Sequence, residues 1–375
     1  MSRGKKIVLY TFGVLTLIIG AIYLSGNGYL LRGIYATYLR GKVRPDIDDQ
    51  HLFDTRKINT SSDVFHYPKR VSSLSSEHVN FLNQYQSEAF LVIKNDTLIK
   101  EWFQPGADTT HWNSFSMAKS VTSLLVGCAI QEGKIESIET PVSDFIATDC
   151  IHASLKNLLQ MSGGIPFGES YNSPFGYMAK AYYGKNLEEI TLPYCQDKTP
   201  GTSWSYEGGN TVLLGLALEK ATHQNLSNYF EEKIWKKIGA ESACYWNIDH
   251  PGGIEKPYTG IYATPIDFAK LGSMVLHHGN FNNQAIVDSS YLEKCFEPCL
   301  IPDEKGTSCS WYGLQFWMGN WENHPIKLFR GMRGQYIIVV PDLNLVVVRI
   351  GHEQSKGRTN ELPNDVFDLL KIAVN

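Results

Sequence analysis

The sequence lacks the features that mark nucleic-acid-binding proteins and small disulfide-built proteins. Its 34 Lys and Arg residues against 38 Asp and Glu residues give a formal net charge of -4, which offers no basic surface to a nucleic acid. Seven cysteines in 375 residues are too sparse for a disulfide framework. No internal repeat or low-complexity segment is visible. Composition therefore indicates a globular protein with one large domain or two smaller ones.

The cysteines and histidines also lack the spacing of a metal site. Cys295, Cys299 and Cys309 come close together, but no second cysteine pair or patterned histidine lies nearby. Among the 11 histidines only His277 and His278 are close, and adjacent residues do not face one ligand. We therefore expect no metal and no cofactor. The cysteines are expected to be buried apolar residues, with room for one disulfide.

One long hydrophobic run stands at the N-terminus. Residues 7–25 read IVLYTFGVLTLIIGAIYLS, and no charged residue occurs between Lys6 and Arg32. About 20 apolar residues are enough to cross a bilayer. A cleaved signal peptide would have a shorter apolar region and a small-residue cleavage site, neither of which is clear here. We therefore predict a transmembrane signal-anchor over 7–25, with a cleaved signal as the alternative.

The charges beside this run favour neither orientation strongly. Three basic residues precede the run and four follow it closely, so the positive-inside rule is nearly balanced. A short basic N-terminus before a single span usually stays in the cytoplasm. We therefore predict that residues 1–6 are cytoplasmic, and that the body of the protein is periplasmic or otherwise extracytoplasmic.

The remaining chain divides into a polar segment and one domain. Residues 26–71 carry polar clusters and predict a linker, stalk or loosely packed wrap. Within 72–375, EAFLVIKNDTLIKEWF and GQYIIVVPDLNLVVVRIG each predict a β-hairpin. SSEHVNFLNQYQ and the closing LPNDVFDLLKIAVN predict helices. We predict an α+β fold: an antiparallel sheet built from both ends of the domain and flanked by N- and C-terminal helices. A mainly helical region is inserted at roughly 135–245.

A serine and a lysine stand three residues apart in NSFSMAKSVTSLLVG. On a helix Ser116 and Lys119 share a face. Ser116 would lie at the helix start, where the helix dipole favours developing negative charge. The apolar residues that follow would desolvate the Lys119 amine, which lets it act as a base. The same spacing at Ser2 and Lys5 lies in the basic N-terminus without this context, and taken alone the pattern also fits a solvated lysine.

Two later segments add to this pair. PGTSWSYEGGNTVLLG puts Tyr206 on a glycine-flanked loop before a helix, and RGMRGQYIIVV puts Gly334 and Gln335 at the start of an apolar strand. Serine, lysine, tyrosine and a glycine-preceded strand edge, in this order, are typical of serine β-lactamases and penicillin-binding proteins.

The chain resembles the β-lactamase-related serine hydrolases of the class C type, and most of all their branch of 6-aminohexanoate-dimer hydrolases and esterases. The resemblance is carried by WNSFSMAKSVTSLLVG, LKNLLQMSGGI, PGTSWSYEGGNTVLLGLALEKAT and RGMRGQYIIVVPDLNLVVVRIG, and spans about 85–352. It implies a β-lactamase/transpeptidase-like fold. It also implies Ser116 as nucleophile, Lys119 as general base and Tyr206 as the hydroxyl that relays a proton to the leaving group. The backbone N–H groups of Ser116 and Gln335 would form the oxyanion hole.

The second and third motifs depart from the family pattern. The tyrosine motif is commonly Y-x-N but reads Tyr206-Glu207-Gly208 here, so we expect Asn210 to replace the asparagine. A literal Y-x-N at 245–247 lacks the PGT lead-in and the following helix. The third motif, K-T-G or H-x-G in the family, reads Met332-Arg333-Gly334. Its usual cation is absent, and Arg333 or Arg330 is the candidate substitute.

These features predict a membrane-anchored serine hydrolase that cleaves a small-molecule amide or ester through an acyl-enzyme on Ser116. One alternative is a β-lactamase or D-Ala-D-Ala carboxypeptidase, which the absent cation at Met332 disfavours. Another is a non-catalytic penicillin-binding-like sensor, which would not need all three catalytic side chains. A purely structural membrane protein would not need the cleft motifs. The physiological substrate and the oligomeric state stay open.

Overall fold

A computed structural model describes residues 2–171 and 173–375; Met1, the first residue of the predicted cytoplasmic segment, lies outside the described residues. The helices of the described chain are α1 (Arg3–Leu24), α2 (Gly28–Ala36), α3 (Ser76–Gln84), α4 (Met117–Gln131), α5 (Leu155–Leu159), α6 (Tyr177–Tyr183), α7 (Leu187–Thr191), α8 (Gly208–Thr222), α9 (Leu226–Phe230), α10 (Pro265–Leu276), α11 (Ser289–Cys295) and α12 (Asn364–Val374). The strands are β1 (Thr55–Ile58), β2 (Ser87–Lys94), β3 (Thr97–Phe103), β4 (Trp112–Asn113), β5 (Cys244–Asn247), β6 (Ile261–Ala263), β7 (Asn280–Phe281), β8 (Gln284–Ala285), β9 (Trp317–Trp321), β10 (His324–Gly331), β11 (Gln335–Val340), β12 (Leu345–Gly351), β13 (Arg358–Thr359) and β14 (Leu362–Pro363).

The main sheet is antiparallel and has the strand order β3-β2-β12-β11-β10-β9. It therefore joins strands from both ends of the domain, as the sequence predicted. The hairpin of β2 and β3 turns at Asn95 and Asp96, whose φ values of 48° and 57° are tolerated well by these two residue types. The hairpin of β11 and β12 turns at 341–344 through a short 3₁₀ turn. Both predicted hairpins are confirmed.

Both faces of this sheet are covered, which explains its nearly continuous apolar strands. Along β11, Ile337 and Val339 enter the core beneath α10, whereas Tyr336 and Ile338 enter the core beneath α3 and α12. This alternation follows from the two-residue period of a strand. Gly272 of α10 allows the closest approach, since a Cβ there would lie 2.5 Å from a methyl group of Val346. The predicted flanking by N- and C-terminal helices is confirmed.

The predicted helical insertion is also confirmed. Between α4 and β5 the described chain forms helices and no named strand. At the centre of this region α8 packs against α4, α5, α7 and α9. The disulfide Cys150–Cys195 crosslinks this region. The other cysteines are reduced, and four of them are buried: Cys128, Cys244, Cys295 and Cys309.

The segment 26–71 is packed onto the domain, rather than extended as a linker or stalk. Its strand β1 pairs with β5 in a second antiparallel sheet of order β1-β5-β6-β4. Ile47 and Ile58 are fully buried. The acidic residues that suggested a stalk are themselves anchored, since Asp49 accepts a hydrogen bond from Arg40 at 2.7 Å and Asp46 pairs with His352 at 2.7 Å. Apolar burial and these ion pairs together explain why the segment packs onto the domain instead of forming the expected linker or stalk.

Helix α1 stands outside the core. None of its residues is buried, and it is long and apolar enough to span a membrane. At 1.5 Å per residue its 22 residues extend about 33 Å, close to the hydrocarbon thickness of a bilayer.

Candidate functional site

A strained turn carries the chain from β4 to α4. The N–H of Ser114 donates to the carbonyl of Ile261 at 2.7 Å, which fixes the turn to the small sheet. Phe115 has a φ of 43°, in the left-handed region that bulky residues rarely adopt. Its N–H donates to Oδ1 of Asn113 at 2.8 Å, which stabilises this conformation. The turn delivers Ser116 to the N-cap of α4.

Ser116 and Lys119 meet one helical turn apart. The Lys119 Nζ lies 3.0 Å from the Ser116 Oγ and donates a second hydrogen bond to the carbonyl of Tyr258 at 3.2 Å. Lys119 is only 1% exposed, and no Asp or Glu carboxylate of the described residues pairs with it. One turn further on, Thr122 donates to the carbonyl of Pro257 at 2.8 Å. Helix α4 thus holds the 257–258 turn against the serine–lysine pair.

The third predicted side chain, Tyr206, completes this cluster. The Lys119 Nζ lies 4.9 Å from the centroid of the Tyr206 ring and 5.5 Å from that of Tyr258, so the amine lies between two aromatic rings. The segment before Tyr206 is fixed by backbone hydrogen bonds, including one from Ser205 N–H to the carbonyl of Met161 at 2.9 Å. The structure therefore brings together serine, lysine and tyrosine from two separate stretches of the chain.

The strand edge beside the cluster is formed by the β10–β11 connection. A Cβ on Gly331 would lie 2.2 Å from the carbonyl oxygen of Ser114, so only glycine lets β10 end so close to the turn before Ser116. Arg333 and Gly334 have φ values of 64° and 83° and make the tight connection. The side-chain Nε2 of Gln335 donates to the carbonyl of Met332 at 3.1 Å, which holds the connection in place.

The two candidate arginines have different surroundings. Arg333 donates to the carbonyls of Pro45 and His352, each at 2.8 Å, so its guanidinium ties the N-terminal segment to the end of β12. The guanidinium of Arg330 instead stacks over Trp317, 4.4 Å from the ring centroid. The Trp317 ring is 5.4 Å from the Tyr206 ring. Arg330 is thus the arginine beside the serine–lysine–tyrosine cluster.

The surroundings of Asn210 and Tyr245 differ from those of the serine–lysine–tyrosine cluster. Asn210 is 1% exposed in the first turn of α8, where its amide nitrogen donates to the carbonyl of Glu207 at 3.4 Å. A Cβ on Gly163 would meet the Asn210 Oδ1 at 2.3 Å, so this side chain packs against α5 and the loop after it. Tyr245 lies on β5, with its ring 5.4 Å from that of His111.

Two glutamates flank Tyr206. The Glu169 Oε2 accepts a hydrogen bond from the N–H of Gly208 at 2.6 Å, at the N-terminus of α8, where the helix dipole favours a carboxylate. Glu207 accepts from the N–H of Gly168 at 3.2 Å. Burial, reinforced by the nearby Glu169 charge, raises the pKa of Glu207 to about 7 from its ordinary value of 4.5.

This pKa predicts a pH-dependent stability difference between the protein and its Glu207→Gln variant. Between pH 4.5 and 7 the unfolded chain ionises Glu207 while the folded chain keeps it protonated, so the free energy of unfolding falls as the pH rises. The variant cannot lose this contribution. We therefore expect its stability, relative to the unmodified protein, to increase from pH 4.5 to 7.5 in urea unfolding. A pH-independent difference would contradict the shifted pKa.

Sequence reasoning missed several residues of the site. Glu207 was visible within the second motif, but only as a departure from it. Tyr258 and Glu169 belong to no spacing pattern, because a turn and a loop bring them to the cluster from distant parts of the chain. Trp317 ends the stretch GLQFW, which also resembles the family, but the sequence did not indicate that its ring lies beside Tyr206.

Comparison with known proteins gives one family. A family model described as Beta-lactamase matches residues 82–365, about three quarters of the chain. No curated protein matches the sequence. Among solved structures, a Bacillus anthracis protein assigned as a 6-aminohexanoate-dimer hydrolase superposes with a TM-score of 0.75 at 21% identity, over 92% of this chain and 94% of that one.

Two further structures share the fold at lower similarity. A β-lactamase/D-alanine carboxypeptidase from Yersinia pestis has a TM-score of 0.59 and 17% identity, over 80% of this chain and 96% of that one. The octameric penicillin-binding protein homologue from Pyrococcus abyssi has a TM-score of 0.59 and 19% identity, over 80% and 76% respectively. These similarities and the family match confirm the resemblance read from the sequence: the chain belongs to the β-lactamase family, the serine hydrolases related to β-lactamases and penicillin-binding proteins.

Proposed function

We propose that the protein is a membrane-anchored serine hydrolase that cleaves an amide or ester through an acyl-enzyme on Ser116. The observation that carries the proposal is the 3.0 Å contact between the Lys119 Nζ and the Ser116 Oγ, in a site where the amine is buried and has no carboxylate partner among the described residues. A general base must lie within hydrogen-bond reach of the group that it deprotonates, about 2.6–3.2 Å between the two heavy atoms. This pair meets that condition.

The proposed mechanism assigns one step to each side chain. The amine of Lys119 takes the proton of the Ser116 hydroxyl as the serine oxygen attacks the substrate carbonyl. The backbone N–H groups of Ser116 and Gln335 stabilise the resulting oxyanion. Tyr206 passes its hydroxyl proton to the leaving nitrogen or oxygen and regains the proton that Lys119 took from Ser116, and the acyl group stays on Ser116. Attack by water then releases the acid and restores the serine.

The proposed anchor is α1, which would cross the bilayer once with residues 2–6 in the cytoplasm and the catalytic domain outside. Its support is the length and apolar character of the helix, none of whose residues is buried against the domain. The crosslink between Cys150 and Cys195 fits this orientation, because disulfides persist in oxidising compartments and are rare in the cytosol.

The cation missing at Met332 leads to a substrate prediction. A thioether is a weak acceptor and cannot bind a carboxylate, whereas a charge-assisted hydrogen bond is worth roughly 1.5–3 kcal/mol. We therefore expect p-nitrophenyl butyrate to be hydrolysed and nitrocefin to be turned over poorly. Met332→Lys is expected to raise the nitrocefin-to-ester ratio of kcat/KM by about tenfold or more. Steady-state kinetics on both substrates would measure this.

Efficient turnover of nitrocefin by the unmodified protein would contradict this prediction and would favour the β-lactamase alternative. Arg330 would then be the group that binds the carboxylate, since its guanidinium stacks on Trp317 beside Tyr206. Arg330→Gln separates the two cases, because it would lower nitrocefin turnover only if Arg330 binds the carboxylate.

A further inference from the structure

Helix α2 is apolar on both of its faces. One face is buried against the domain, with Tyr29 and Ala36 in the core and Gly33 against the ring of Tyr183. The opposite face carries Ile34 and Tyr35, which are 43% and 59% exposed. A surface helix of a soluble domain normally turns polar residues outward. The outward face of α2 is therefore typical of a helix that contacts a second apolar surface.

The exposed apolar residues continue beyond α2. Tyr38, Leu39 and Val43 are 68%, 73% and 78% exposed. Together with Ile34 and Tyr35 they form what we call the interfacial patch. Contiguous exposed apolar surface of this kind marks a protein or membrane interaction site. Three of the four basic residues beside the patch are paired with carboxylates: Arg40 with Asp49, Lys42 with Asp48, and Arg44 with Glu353. The fourth, Arg32, is exposed on α2 and forms no salt bridge within the described residues. Attachment through this patch would therefore be mainly apolar, with Arg32 as the unpaired cation beside it.

The connection to α1 identifies what covers the patch. Helix α1 ends at Leu24 and α2 begins at Gly28, so three residues separate them. Three residues reach at most about 10 Å. If α1 fills the hydrocarbon core, α2 must start at the depth of the lipid headgroups. Aromatic and aliphatic side chains such as those of the patch are favourable at this depth.

The loop between Glu169 and α6 starts beside the candidate site, since Glu169 binds the start of α8 next to Tyr206, and we call this loop the rim of the site. Tyr171 and Phe175, 53% and 66% exposed, stand on the loop between Glu169 and α6. The Tyr171 hydroxyl donates to Glu169, whose other oxygen binds the start of α8, two residues after Tyr206. Helix α6 leads from this loop to the contact with α2 and is seven residues long, about 10 Å. Helices α6 and α2 therefore connect the rim of the site to the patch, which lies on the face of α2 that points away from α6.

We propose that the interfacial patch lies in the headgroup layer of the bilayer that α1 crosses, and that the site opens toward this layer to admit an amphiphilic substrate. Such a substrate would have a polar headgroup and an acyl chain, with its ester or amide bond close to the headgroup. Its acyl chain would pass the aromatic side chains of Tyr171 and Phe175. The inference rests on the proposed membrane-anchored hydrolase, and it adds the class of substrate and its route of entry.

The position of the patch can be measured on the full-length protein in phosphatidylcholine vesicles. An NBD fluorophore is placed on Leu39→Cys in a Cys299→Ser background, since Cys299 is the one incompletely buried free cysteine of the described residues. Lys305→Cys on an exposed turn is the control. Quenching by lipids with a shallow spin label is expected at position 39 and not at 305. Quenching of the fluorophore at position 39 by aqueous iodide alone would overturn the proposal. Protection from iodide that appears only as the protein concentration rises would also overturn it, and would point to a second copy of the chain.

The substrate class is tested with a matched pair of esters. The double variant Tyr35→Ser/Leu39→Ser is expected to lose about tenfold or more in turnover of a long-chain p-nitrophenyl ester held in vesicles. Its turnover of soluble p-nitrophenyl butyrate should stay unchanged, because neither residue belongs to the catalytic cluster. Val71→Ser, at an exposed apolar residue outside the patch, should change neither. An equal loss on both esters would overturn the proposal. Failure of the unmodified protein on both esters would instead refute the proposed hydrolase.

Discussion

Replacing Ser116 with alanine is expected to lower kcat/KM for p-nitrophenyl butyrate by about four orders of magnitude or more, because the acyl-enzyme can no longer form. Ser123 offers a matched control on the same helix. Its hydroxyl is buried, contacts that of Tyr291 at 3.1 Å and makes no hydrogen bond to Lys119 within the described residues. Ser123→Ala should therefore keep its activity within a few-fold. The comparison separates loss of the nucleophile from a general effect of removing a hydroxyl from α4.

The same comparison controls for folding. Ser116 makes no side-chain capping bond at the start of α4, so alanine should leave the thermal unfolding midpoint nearly unchanged. Activity that survives in a folded Ser116→Ala variant would show that another group forms the covalent bond, or that the reaction does not need one.

Replacing Tyr206 with phenylalanine is expected to lower kcat by about 10²-fold or more, as removal of a general acid–base group usually does. The phenylalanine ring keeps the aromatic contacts with Lys119 and Trp317 and removes only the hydroxyl. Tyr245→Phe is the matched control, since Tyr245 lies on β5 against His111 and also belongs to a Y-x-N sequence. It should change kcat less than twofold.

The pH dependence sharpens this test. Loss of a proton relay should change the pH profile of kcat, whereas a packing defect would scale the whole profile. A larger loss in Tyr245→Phe than in Tyr206→Phe would mean that the second motif lies at 245–247 rather than at 206–208.

The fold could be predicted from the sequence where local patterns determine it. The β2–β3 hairpin is specified by alternating apolar residues around Asn95 and Asp96, and α4 by the run after Ser116. The segment 26–71 could not be predicted in this way. Its buried residues, such as Ile47 and Ile58, are scattered among polar ones, and β1 finds its partner β5 about 190 residues away in the chain.

The same distinction holds for the site. Ser116 and Lys119 are neighbours on one helix, so their proximity follows from helix geometry alone. The choice between Arg330 and Arg333 could not be made from sequence. Only two residues separate them, yet the turn at Arg333 directs that guanidinium to Pro45 while Arg330 stacks on Trp317. Glu169 depends on a loop whose path no short pattern specifies.

The mass of the intact protein after incubation with a fluorophosphonate tests most directly whether Ser116 is the nucleophile. We expect a single adduct, located at Ser116 by peptide mapping, absent from Ser116→Ala and formed much more slowly by Lys119→Met, which removes the base. An adduct that persists in Ser116→Ala, or that maps to another serine, would contradict the assignment of Ser116 as the nucleophile.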